Sequence, residues 1–154
     1  VLGATTPSYD METEPDQQFD ISPITEEEIK GACAQFIGEI GQYPPAHSAI
    51  KIDGERLYEK ARRGEDVELR LRMITITEFE ITDINLPEVS FRVVCSKGTY
   101  IRSLVHDFGK ALNNGAYLSR LRRTRSGDYK VDDAWEVMEL VNTIRSLKEA
   151  SPIV

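Results

Sequence analysis

The run Cys95-Ser96-Lys97-Gly98-Thr99-Tyr100-Ile101-Arg102 holds the residues best placed to do chemistry. An apolar strand leads in, a glycine turns the chain, and a helix leads out. The first N–H groups of such a helix have no intrahelical acceptor and attract anions. Arg102 falls in the first helical turn, where a guanidinium can clamp a carboxylate or a phosphate bidentately. Tyr100 can stack on a base or hydrogen-bond it. At about 100° per residue the two side chains diverge by roughly 200°, so they share a pocket only if the end of the strand redirects one of them. A structural alternative stays open here: Tyr100 as a core aromatic and Arg102 as an exposed helix residue, since strand–glycine–helix turns are common.

Other chemistries find less support. His47 and His106 lack ligand spacing, so no zinc site is expected. Asp10, Glu12, Glu14 and Asp16 are spaced carboxylates without the glycine of a calcium loop. Ser103 and His106-Asp107 sit on one helix in poor triad geometry. No metal or cofactor is implied. Cys33 and Cys95 are too few for a disulfide framework, which points to a reducing cytoplasm. The apolar runs are too short to span a bilayer, and no basic-then-apolar leader opens the chain. Val1-Leu2-Gly3, with no initiator Met, reads as the start of a piece of something longer.

The formal net charge of −7 argues at first against a nucleic-acid partner. Its distribution argues otherwise. Residues 1–30 hold eight acids and one base, whereas residues 92–130 hold nine bases and two acids. Polyanions respond to the local field, which decays over roughly 8–10 Å at physiological salt. One basic segment can therefore bind RNA on an acidic protein, or it can be a solvated surface with no partner.

The elements that would position these residues follow from periodicity and punctuation. Residues 4–24 are polar and Pro-punctuated and read as a surface loop. Thr25-Glu26-Glu27-Glu28 is a capping box ahead of Ile29, Cys33, Phe36 and Ile37 at helical spacing, with Gly38 and Gly41 ending the helix. Pro44-Pro45 then forces an extended turn. Ala49 to Ile52 reads as a strand closed by Asp53-Gly54, and Arg56 to Arg63 as a short helix. Met73 to Ile84 alternates with a phase slip near Glu78, and Val89 to Cys95 pairs with it as a hairpin. A helix from Thr99 to Leu112 follows. A last helix begins near Asp132-Asp133 and is expected to bury Ala134, Val137, Met138, Val141 and Ile144. Strands and helices mix without regular alternation, so the fold class is α+β with a largely antiparallel sheet flanked by helices, in one domain over residues 1–154.

Four stretches resemble the motifs of TruB-type tRNA pseudouridine synthases, in the family's order. They are Tyr43-Pro44-Pro45 through Ser48-Ala49-Ile50-Lys51, Gly54-Glu55-Arg56-Leu57-Tyr58 through Ala61-Arg62-Arg63-Gly64, Gly98-Thr99-Tyr100-Ile101-Arg102, and Gly115-Ala116 through Leu121-Arg122-Arg123. The resemblance implies a pseudouridine synthase fold truncated on its N-terminal side. It implies isomerisation of the T-loop uridine of tRNA, without cofactor or metal, on a base flipped out of its loop. It assigns Arg102 to the arginine that pairs with the nucleophilic aspartate, Tyr100 to the uridine pocket, and Leu121 to the apolar floor under the base. Residues of about 38–72 resemble the family's thumb over the tRNA T-arm. Lys51, Arg56, Tyr58, Arg62, Arg63, Lys97, Arg122 and Arg123 are the implied RNA contacts. Asp10 aligns with a family aspartate in a loop, not with the nucleophile. The family's nucleophile lies in a Leu-Asp-Pro motif that does not occur in this sequence, so the chain alone is expected to be inactive. Nothing in it resembles a PUA domain. Its alternatives are a structured-RNA-binding module without chemistry, or an interaction domain whose basic segment meets an acidic protein. Strands left without their partners would expose a sheet edge and favour self-association.

Overall fold

The structure, a computed structural model, describes residues 1–45, 51–52, 55–56 and 70–150, without the side chains of 51–52, 55–56 and 148–150. The residues cluster into two units, Val1–Ser119 and Arg120–Val154.

The first unit is organised by one long hairpin. Strand β6 (Arg72–Asn85) pairs antiparallel with β7 (Glu88–Cys95) through the turn at Leu86-Pro87. Register shifts fall between Ile76 and Glu78 and between Ile81 and Asp83. Each shift moves the inward face by one residue. The inward positions accordingly run Ile74 and Ile76, then Phe79 and Ile81, then Ile84. The slip expected near Glu78 is the first of these bulges.

Strand β3 (Gly38–Gln42) completes a three-stranded sheet by pairing Gly38 with Ile76 and Gln42 with Arg72. The sequence reading gave these residues only a helix stop. Gly38, at φ +104, does end the helical path. The glycines then hide a strand whose pairing partner lies thirty or more residues away, a tertiary influence that local propensity does not carry.

Helix α1 (Glu26–Ala32) begins with the capping box. The Glu28 N–H donates to Thr25 Oγ1 at 3.2 Å and the Thr25 N–H donates to Glu28 Oε2 at 2.8 Å. A 3₁₀ turn, Cys33–Phe36, carries Cys33 and Phe36 inward. Helix α2 (Ile101–Ala111) buries Leu104, Val105 and Phe108. Phe36, Phe79 and Phe108 meet at centroid distances of 5.5–6.1 Å, tying turn, sheet and helix into one core.

The stretch from 4 to 24 is more than a surface loop. Strands β1 (Ala4–Thr5) and β2 (Gln17–Gln18) pair, and Thr6 and Ser8 are buried. Polar side chains can go inside here because their hydroxyls find acceptors within the loop. Two-residue strands β4 (Lys51–Ile52) and β5 (Glu55–Arg56) form a hairpin with Lys51 opposite Arg56, so Arg56 lies on a strand and not at a helix start. Tyr58, Arg62 and Arg63 of the expected thumb lie outside the described residues.

The second unit holds a hairpin of β8 (Arg125–Ser126) and β9 (Tyr129–Lys130), a 3₁₀ turn at Val131–Asp133, and helix α3 (Val137–Ala150). The burial expected of this last helix is not what the structure shows. Val137 is 72% exposed, Met138 66% and Ile144 47%; Ala134 is also exposed and Val141 half-buried. One helix and a two-residue hairpin contain too little chain to cover an apolar helix face. Among the described residues every ladder between strands is antiparallel, in keeping with the α+β expectation.

Candidate active site

The entry to α2 is fixed from two sides. Gly98, at φ +85, turns the chain, and Thr99 Oγ1 donates to the Ser96 carbonyl at 2.8 Å. Gln42, buried at the end of β3, then clasps the backbone of Tyr100. Its Oε1 accepts the Tyr100 N–H at 2.8 Å, and its Nε2 donates to the Tyr100 carbonyl at 3.0 Å. Tyr100 is the half-buried N-cap residue in extended conformation, so it redirects the chain before the first helical turn. One turn later, Ser103 Oγ donates to the Tyr43 carbonyl at 2.7 Å.

Arg102 projects from this anchored turn to the N-terminal loop. Its Nη1 donates to Asp10 Oδ2 at 2.9 Å and to the Ser8 carbonyl at 3.1 Å. The side chains of Arg102 and Asp10 are 22% and 17% exposed, so the pair is largely out of water. Asp10 Oδ1 also accepts from Ser8 Oγ at 2.6 Å and from the Glu12 N–H at 3.0 Å. Burial works against the Asp10 charge, but the Ser8 hydroxyl, the Glu12 N–H and the Arg102 guanidinium outweigh it and hold the carboxyl below its ordinary value. The sequence reading paired Arg102 with a carboxylate from outside the chain and gave Asp10 no role; here the arginine meets a carboxylate of its own chain.

The loop that offers Asp10 is shaped by Tyr9, which sits at φ +63. That conformation is uncommon for a residue with a side chain. It is held by the Tyr9 N–H to the Thr6 carbonyl at 3.1 Å, the Leu118 N–H to the Tyr9 carbonyl at 2.9 Å, and a ring stack on His106 at 3.8 Å and 11°. Burial, with help from the Lys110 charge, lowers the His106 pKa to about 4, so the imidazole under Tyr9 is neutral at pH 7. Burial, then the Asp107 and Asp16 carboxylates, raise that of the phenol.

The structure therefore brings Arg102 to Ser8 and Asp10, and separately brings Gln42 to the backbone of Tyr100; of these residues, Tyr100 and Arg102 were the expected ones. Lys97 is exposed on the turn before α2. Leu121, 61% exposed, and Arg122 and Arg123, also exposed, belong to the second unit. Asp10 lies 92 residues from Arg102 in sequence. Its only local signal is the cluster of hydroxyl residues before it, which marks a side-chain-capped turn.

The chain is similar to a chain of a crystal structure of a Cbf5–Nop10–Gar1 complex, with a TM-score of 0.65 and 37% identity over 84% of this chain and 35% of that one. Residues 1–101 match the TruB family pseudouridylate synthase N-terminal domain, and residues 102–152 the tRNA pseudouridylate synthase B C-terminal domain. The chain belongs to the TruB family of pseudouridylate synthases. Among its relatives, the tRNA pseudouridine synthase B of Flavobacterium johnsoniae is 61% identical over 88% of this chain, and that of Chloroherpeton thalassium 44% identical over 97%. The chain spans 59% and 62% of those two proteins. Among the described residues, no helix is long and apolar enough to cross a membrane.

Proposed function

We propose that this chain supplies the arginine-bearing part of a tRNA pseudouridine synthase pocket. A T-loop uridine is flipped out; its base detaches from the ribose at nitrogen and re-bonds through carbon, with one proton leaving the carbon and one joining the nitrogen. Arg102 is the oriented charge beside the attacking aspartate, and Tyr100 packs against the base. Lys51, Arg56, Tyr58, Arg62, Arg63, Lys97, Arg122 and Arg123 contact the T-arm. The observation that carries this reading is the 2.9 Å bond between Arg102 and Asp10. A guanidinium already held by its own chain needs no reorganisation when charge develops near it, which is what electrostatic catalysis requires.

The implied nucleophile belongs to a Leu-Asp-Pro motif that does not occur among the 154 residues. The chain alone is therefore an RNA-binding module without turnover. The test uses unmodified tRNA and measures pseudouridine formed, with this chain and with a longer form that carries Leu-Asp-Pro ahead of Val1. The chain alone is inactive. In the longer form, Arg102→Ala lowers the rate by about a hundredfold or more and leaves tRNA affinity within about threefold. Turnover by the chain alone refutes the first half, and a loss confined to binding removes Arg102 from the pocket. The outer edges of β3 and β7 have no neighbour among the described residues. Two copies pair there, a proposal that a monomeric sedimentation profile at all concentrations rules out.

A further inference from the structure

The hairpin of the second unit carries two facing cations. Arg125 pairs with Lys130 and Ser126 with Tyr129, around Gly127 at φ +59. The Val131 N–H donates to the Thr124 carbonyl at 2.9 Å, so residues 124 and 131 form a hydrogen-bonded rung. Rungs alternate in an antiparallel ladder, which makes Arg125 and Lys130 a non-bonded rung, where side chains stand closest. Their Cβ atoms are about 4.5–5.5 Å apart in such a rung, and like charges there oppose hairpin formation. Both residues are exposed. Among the described residues neither makes an ion pair. Arg120, Arg122 and Arg123 lie just ahead, equally exposed, and Asp128 in the turn is the sole acid from 120 to 130.

We propose that this rung grips an RNA phosphate between the Arg125 guanidinium and the Lys130 ammonium; the inference rests on the reading that the chain acts on tRNA. A phosphate offers oxygens to both groups at once and turns a repulsive rung into a bridged one. Tyr129, 85% exposed, stands on the opposite face by alternation and takes no part in this contact. The recognition is of backbone charge and not of sequence.

The test is binding of an unmodified T-arm stem-loop to the full chain between about 50 and about 200 mM salt. The double variant Arg125→Thr/Lys130→Thr places a favourable pair in the same rung, so the hairpin is kept. Its salt slope is smaller by about 0.7–0.9, the share of one phosphate, and the affinity lost across that salt range is about threefold less than for the unaltered chain. Arg125→Lys/Lys130→Arg and Tyr129→Ser keep the full slope. An unchanged slope in the threonine variant overturns the proposal, and so does an equal loss in Tyr129→Ser. Retained RNA binding together with lost binding of polyglutamate overturns it in favour of an acidic protein partner. Failure of the unaltered chain to bind any tRNA refutes the earlier reading too, which separates the two failures.

Discussion

Replacing Asp10 by Asn tests whether the loop and helix α2 are joined by charge. The substitution keeps the size of the side chain and the acceptor for Ser8 Oγ and the Glu12 N–H. It puts an amide where Oδ2 meets Arg102 Nη1 at 2.9 Å, so a donor faces a donor. Breaking a fully buried pair by removing one partner costs about 3–5 kcal/mol, whereas an exposed pair contributes below about 1 kcal/mol. Side-chain exposures of 22% and 17% place this pair between those limits, at about 2 kcal/mol. With a urea slope of about 2 kcal/mol per molar, the midpoint falls by about 1 M. The chain's one tryptophan, Trp135, lies in the second unit, so circular dichroism of the sheet is the better reporter. The control is Glu26→Gln, which removes the Lys30–Glu26 pair, whose side chains are 59% and 66% exposed. Its midpoint moves by less than about 0.3 M. The Asp10 carboxyl has a depressed folded pKa, so its contribution is present above the ordinary value of 3.8 and is lost as pH falls through the folded value. The advantage of the unaltered chain over Asp10→Asn therefore vanishes in strong acid. Equal, small shifts for the two variants at neutral pH would refute the reasoning.

Gly109→Ala would bring a Cβ to 2.5 Å from the Ala116 backbone N and 2.8 Å from Gly115 C, so it lowers stability by about 1–3 kcal/mol, while Gly31→Ala, with nothing within 4 Å, raises the melting temperature. Gln42→Ala leaves the Tyr100 N–H without its acceptor, although the Tyr100 carbonyl keeps the Leu104 N–H at 3.0 Å. It costs about 1–3 kcal/mol, and amide exchange at Tyr100 reads the loss directly. His106 is lowered from 6.5 to about 4 in the fold. Between those values the unfolded chain takes a proton that the folded chain refuses, so stability drops as pH falls from 6.5 to about 4. His106→Phe keeps a ring under Tyr9 and flattens that part of the pH profile, and an unchanged profile would show that His106 does not titrate this way.

Legibility followed the range of the interaction. The capping box at Thr25 and Glu28 involves residues three apart, and it appears as written. The slip near Glu78 and the hairpin at Leu86-Pro87 were equally visible, because alternation and turn chemistry are local. Strand β3 was hidden by its glycines, since its reason for existing is the edge of β6. The site divided the same way. Tyr100 and Arg102 stood out as a motif, whereas Asp10 and Gln42 reach them across 92 and 58 residues. No periodicity reports a contact of that span. The last helix was expected to begin near Asp132-Asp133 and to bury its apolar positions; α3 begins at Val137 and leaves Val137, Met138 and Ile144 exposed, because a pattern says which residues are apolar and not what covers them.

The long-range bonds of the opening loop all arrive late in the chain. Leu2 is held by Pro87, Gly3 by Asn114 and Gly115, Tyr9 by Leu118, and Asp10 by Arg102. A ribosome working at about 5–20 residues per second would thus release this stretch roughly 5–20 s before its last fastener is synthesised. Throughout that interval Thr6, Ser8 and Tyr9 stay hydrated and open to proteases or chaperones. This stretch settles only after Leu118 has been made.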